Sequence, residues 1–173
     1  MQVFFYMKWG MIMNKLYFGY TTMTHGVKGE LKCYTDFEKK DKVLTKGFPI
    51  YIQDSRHTIT SARPHKNHYL ITIDHLNDIN LVEEFRNQKI YIDRADLKLN
   101  EDEFLMSDLL GFSIIEEEET LGIVEDILYN KSGIYLKVLK EKTYYIPWQE
   151  AFIVRVDKNK KQVLVQNAKG LML

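Results

Sequence analysis

Alternation of apolar and polar positions dominates the chain. Leu16-Tyr17-Phe18-Gly19-Tyr20 and Leu31-Lys32-Cys33-Tyr34 flank the turn Thr24-His25-Gly26-Val27-Lys28-Gly29-Glu30. Two such runs around a glycine-punctuated turn predict a β-hairpin. Further short strands are expected at residues 48–52, 58–63, 68–73 and 89–93, with Pro49 suited to an edge position and residues 64–67 at a hairpin tip. The charged stretch 36–47 reads as a loop or a frayed helical turn. Between residues 78 and 86 the period changes. Ile79, Val82, Phe85 and Arg86 lie three or four apart, which predicts one apolar helix face capped by Asn77 or Asp78. Six strands with one late helix form a small barrel. After the polar run 97–103, Phe104-Leu105-Met106 and Leu109-Leu110 flank Ser107-Asp108, an amphipathic turn or helix stopped by Gly111. Strands at short spacing follow, at 112–115, 121–129, 134–139, 143–146, 152–156 and 162–166. The expected fold is therefore all-β with one or two short helices, arranged as two small β-barrels. The expected organisation is a barrel over 14–97, a linker over 98–103 and a second barrel over 104–173.

Composition agrees with a folded chain: 45% of residues are hydrophobic, 28% charged and 13% aromatic. Net charge is zero, from 24 basic and 24 acidic residues, so a dominant nucleic-acid charge field is not expected. Residues 1–97 carry 14 basic against 11 acidic groups and residues 98–173 carry 10 against 13. That small asymmetry lets the first half tolerate a nearby phosphate. The single cysteine, Cys33, excludes an internal disulfide framework and fits a reducing, cytoplasmic setting. Its place in an alternating strand makes it a packing residue. No run reaches the ~18–20 apolar residues of a membrane span. Residues 1–13 hold four methionines and no basic n-region. They are expected to be an upstream start or a disordered tail, with the natural product beginning at Met11 or Met13.

Candidate chemistry is sparse. Nucleophile-elbow, zincin and Cys-x-x-Cys motifs do not occur. All five histidines fall in the first half. His65 and His68 sit three apart on the expected hairpin tip, where exposed loop histidines are the plainer reading than a metal site. Neither a metal nor a cofactor is expected. Glu116-Glu117-Glu118-Glu119 reads as a solvated β-turn. Gly26-Val27-Lys28-Gly29 matches a GxxG spacing, but flanking strands rule out the two-helix clamp that uses it. Thr24, His25 and Lys28 on a protruding turn then remain as groups able to meet a phosphate or a protein carboxylate. Trp148, beside Pro147 at a strand end, reads first as packing and second as an interface anchor.

The ordered series of motifs resembles one family, the bacterial ribosome maturation factor RimM. The resemblance rests on Thr24 to Glu30 with Gly19 upstream, Arg63-Pro64-His65-Lys66, Asp78-Ile79-Asn80-Leu81-Val82 and the stretch from Glu103 to Gly111. Leu121-Gly122-Ile123-Val124, Ile146-Pro147-Trp148, Val156-Asp157 and Gly170-Leu171 complete it. The resemblance implies a six-stranded barrel like those of translation factors, followed by a PRC-barrel. It implies a non-enzymatic, monomeric assembly factor for the free small ribosomal subunit. It further implies binding of the head's ribosomal protein numbered nineteen and support of 16S rRNA processing. The implied partner-binding residues are Thr24, His25, Gly26, Lys28, Gly29, Phe104, Leu105, Asp108 and Trp148. Two departures stand out. The family's paired tyrosines and following tryptophan correspond to Phe104, Leu105 and Met106, and a Gly-Ala/Ser-Asn-Asp turn corresponds to Asn130-Lys131-Ser132-Gly133.

Two functional readings compete. One is an assembly chaperone gripping a ribosomal protein through both barrels; the other is an RNA-binding barrel with no protein partner. An enzyme ranks third, since the sequence shows no paired carboxylates or nucleophile–base pair.

Overall fold

The computed structural model describes residues 15–172, so the expectations for residues 1–13 lie outside the described residues. The chain divides into two compact units between Glu103 and Phe104.

The first unit is a closed six-stranded barrel. Its strands are β1 (Lys15–His25), β2 (Glu30–Tyr34), β3 (Pro49–Ile52), β4 (Ser55–His65), β5 (His68–Ile73) and β6 (Lys89–Asp93). They are ordered β1-β2-β5-β4-β3-β6, and antiparallel pairing of β6 with β1, Lys15 opposite Asp93, closes the ring. Closure removes the unpaired edges that an open sheet would expose. Alternation sends Leu31 and Cys33 of β2, and Ile50 and Ile52 of β3, into the interior, each fully buried. Thr21 is a buried polar exception. Its hydroxyl donates to the Phe85 carbonyl and accepts from the Gln88 amide at 3.0 Å, fastening β1 to the segment before β6.

One expectation for the elements of this unit changes. Residues 78–86 do not form one α-helix. They form two 3-10 turns, Ile79–Leu81 and Glu83–Phe85. Ile79, Val82 and Phe85 recur every three residues, the period of a 3-10 turn, so the same burial is reached without an α-helical ladder. Val82 and Phe85 are buried, and Asp78 caps the first turn by accepting from the Asn80 amide at 2.8 Å. The charged stretch after β2 contains one helical turn, α1 (Lys40–Val43). Its Lys42 ammonium donates to the Glu103 carboxylate at 2.6 Å. Glu103 also accepts from the Asn100 amide at 2.9 Å. The end of the 98–103 segment is thus fastened to its own unit.

The second unit is a six-stranded sheet built from β7 (Ser113–Glu116), β8 (Glu119–Asn130), β9 (Gly133–Leu139), β10 (Thr143–Pro147), β11 (Ile153–Asp157) and β12 (Gln162–Val165). The order is β10-β9-β8-β7-β12-β11, with β7 and β12 parallel and the other pairs antiparallel. The consecutive strands β10 and β11 therefore lie at opposite edges. Laid flat, five strand spacings would separate them by about 24 Å, whereas the link from Pro147 to Ile153 reaches at most about 21 Å fully extended. The sheet must curl, and its core of Leu109, Ile114, Leu121, Leu136, Val138, Ile146 and Val163 fills the curl.

The acidic run departs from its expected role. Glu117 and Glu118 form the exposed turn between β7 and β8, but Glu116 is only 7% exposed. Its carboxylate accepts the amides of Ala168 and Lys169 at 3.2 and 2.9 Å. A buried carboxylate is tolerable when backbone donors replace water in this way.

Candidate functional site

The β1–β2 turn is shaped by two glycines with different duties. Gly26 (φ 63°) and Gly29 (φ 68°) both lie in the left-handed region. Around Gly26 there is open space. A Cβ on Gly29 would stand 2.7 Å from the Leu76 carbonyl oxygen. Gly29 is thus buried against residues 76–78, while Gly26, Val27 and Lys28 project, Val27 at 76% exposure. Thr24 and His25 are half-buried at the base of the turn, paired with Leu31 and Glu30.

Beside the turn, Arg63 on β4 donates to Glu30 through Nε and Nη2, both at 2.9 Å. That bidentate bond, ahead of the opposing effect of burial, holds the Glu30 carboxyl below its ordinary range. A run of rings crosses the outer face. Tyr20 stacks on Tyr34 with centroids 5.4 Å apart, Tyr34 lies 5.1 Å from His68, His68 5.0 Å from His65, and His65 5.1 Å from His25. These residues come from β1, β2, β4 and β5. His25 is the one ring among them that sequence reasoning singled out for binding. The i,i+3 spacing of His65 and His68 was a visible signal, but tyrosines 31 to 48 positions upstream carry no local sign that they share a face with them. His68 is also buried, at 7% exposure, contrary to the expected exposed loop histidine. Desolvation, then the neighbouring cations, lowers the pKa of both His65 and His68.

In the second unit, residues 106–109 form a 3-10 turn whose start is fixed by Asp108, which accepts from the Leu105 amide at 2.8 Å. The turn carries Met106 and Leu109 into the core. Phe104 and Trp148 are half-buried and meet edge to face at 6.0 Å. Trp148 stands in the link between the two sheet edges, its amide donating to the Ile134 carbonyl at 2.8 Å. Leu105 is 1% exposed, so its side chain supports the segment from inside.

Cys33 is fully buried, and desolvation pushes its thiol up to about 12, far from a nucleophilic thiolate. Among the described residues, no three His, Cys, Asp or Glu side chains are grouped to hold a metal ion, and no helix is long and apolar enough to cross a membrane.

Comparison with known proteins gives two adjoining matches. The RimM N-terminal domain matches residues 16–97, and the RimM PRC barrel domain matches residues 106–171. The chain belongs to the RimM family. Similar curated relatives include the ribosome maturation factor RimM of Exiguobacterium sp., 28% identical, over 92% of this chain and 98% of the relative. Another is that of Staphylococcus aureus strain MRSA252, 29% identical over 89% of this chain and 96% of the relative. Among solved structures, a putative 16S ribosomal RNA processing protein RimM from Pseudomonas aeruginosa aligns with a TM-score of 0.45 and 17% identity, covering 90% of this chain and 99% of that one. The RimM N-terminal domain from Thermus thermophilus aligns with a TM-score of 0.43 and 16% identity, covering 50% of this chain and 98% of that one. The β1–β2 turn, Asp108 and Trp148 lie inside the matched segments, whereas Phe104 and Leu105 fall between them.

Proposed function

We propose that the chain is a non-catalytic assembly chaperone. It binds the free small ribosomal subunit through the head's ribosomal protein numbered nineteen, and thereby supports 16S rRNA processing. It works in the cytoplasm as a monomer. The carrying observation is that both RimM domains match in order, with relatives along about nine-tenths of the chain named ribosome maturation factors. In this reading the Phe104–Trp148 pair supplies the apolar anchor, a role suited to half-buried aromatics. Leu105 and Asp108 hold the anchor's backbone in place. Thr24, His25, Gly26 and Lys28 form a separate polar contact, and Gly29 sets the turn that presents them. The buried, protonated thiol of Cys33 speaks against cysteine chemistry.

The test is co-sedimentation of the purified full chain with separated ribosomal particles. Co-migration with free small subunits, and not with assembled ribosomes, is expected. Equal binding to both, or to neither, would refute the reading. Replacing Phe104 and Trp148 together with alanine should release the protein from the subunit while leaving the first barrel folded.

A further inference from the structure

We propose that the ring row on the first barrel is a docking site for unpaired RNA, with bases laid against Tyr20, His65 and His25 and phosphates held by Lys32 and Lys66. This deepens the reading above by naming a second, nucleic-acid partner surface on the same particle.

Three observations carry it. First, the rings form an unbroken series of centroid distances between 5.0 and 5.4 Å over several strands. Tyr20 remains 44% exposed and Tyr34, His65 and His25 are partly exposed. Tyr34 is covered by Tyr20 on one side and His68 on the other, so it backs the row, while Tyr20, His65 and His25 present aromatic surface for the sequence-tolerant stacking of single-stranded bases. Second, the charge around the row is uncompensated. The adjacent carboxylate, Glu30, is taken by Arg63 in a two-bond pair. Lys32 on β2 and Lys66 at the β4–β5 tip have no ion-pair partner among the described residues. An acidic peptide would also meet these lysines but would make no use of the rings.

Third, the histidines form a directed chain. Asn67 Oδ1 can only accept, so His68 donates to it from Nδ1 at 3.3 Å, and His68 Nε2 accepts from His65 Nδ1 at 3.2 Å. His65 Nε2 is then the position that can gain a proton without breaking either bond. The groups facing it are His25 on β1, Glu30, Lys32 and Tyr34 on β2, Arg63 on β4 and Lys66 at the tip. An arriving phosphate offsets the surrounding positive charge, which favours that proton. RNA binding should therefore tighten as pH falls.

The experiment is fluorescence anisotropy with the full chain and three probes: a single-stranded RNA of about twelve nucleotides, the same strand in a duplex, and a polyglutamate peptide. The single strand should bind, with affinity falling steeply as salt rises, and several-fold more tightly near pH 6 than near pH 8. His65→Ala should weaken it about tenfold. Lys32→Glu with Lys66→Glu should weaken it further and flatten the salt dependence, with unchanged circular dichroism showing that the barrel is intact. The proposal is overturned if the single strand does not bind at low salt, if the duplex binds as well and His65→Ala changes nothing, or if polyglutamate competes equally. Loss of RNA binding with retained co-sedimentation would sink this proposal alone. Failure to co-sediment, with RNA binding intact, would sink the proposed function alone.

Discussion

Glu116 and Lys169 lie 53 positions apart in sequence but are joined directly in space: the Glu116 carboxylate accepts the Lys169 amide at 2.9 Å, and the Ala168 amide at 3.2 Å. The bonds clamp the turn after β12 to the end of β7. Glu116→Ala removes the acceptor and leaves two amides without a partner. It should cost about 2 kcal/mol, read as a lower urea midpoint for the transition of the second unit. Glu116→Gln should recover part of the loss.

The neighbouring turn holds a correctable strain. Glu117 (φ 49°) and Glu118 (φ 70°) both sit in the left-handed region, where a two-residue hairpin prefers Asn-Gly. Glu117 pairs with Lys169 at 3.0 Å and should be kept. Glu118→Gly should raise stability by about 0.5–1 kcal/mol, measured by thermal unfolding.

Two glycines in one turn should respond differently to the same change. Gly26→Ala meets open space and bears only the left-handed penalty, about 1 kcal/mol. Gly29→Ala adds a clash with the Leu76 carbonyl and should cost at least about twice as much. Equal destabilisation in chemical denaturation would show that the contact with residues 76–78 does not constrain the turn.

The Glu30–Arg63 pair gives a pH-dependent contribution of definite sign. The folded-state pKa of Glu30 is lowered, first by the hydrogen bond to Arg63. Its stabilisation is therefore complete above the ordinary glutamate range near pH 4.3 and is lost as pH falls through the lowered value. Arg63 is half-exposed, so solvent screening keeps the coupling small. A double-mutant cycle with Glu30→Gln and Arg63→Gln at neutral pH and near pH 3 checks both size and direction.

Cys33 should be inert to a disulfide reagent in the native chain and react at once after unfolding. Burial and a thiol raised to about 12 both oppose attack. Fast native-state labelling would mean that the first barrel opens readily.

Strand patterns were readable because one-sided burial writes alternation into the sequence. His68–Ile73 and Lys89–Asp93 are strands at their expected limits. The 79-82-85 spacing was ambiguous because a period of three serves a 3-10 turn as well as one face of an α-helix. Glu116 was misread for another reason: what makes a buried carboxylate tolerable is a pair of amides more than fifty positions away, and no local pattern records them. The ring row was illegible in the same way. Tyr34 and His68 become neighbours only when β2 pairs with β5, and that order of strands is a property of closure.

The parallel pairing of β7 with β12, Ser113 opposite Gln162, has a bearing on biosynthesis. The first barrel has all its strands once Asp93 has left the ribosome, so it can finish while translation continues. The second unit cannot seat its central strand until the stretch ending at Val165 has emerged, because β7 would otherwise expose an unsatisfied flank. A nascent chain stalled before that point would carry one completed barrel and one adhesive, unfinished sheet.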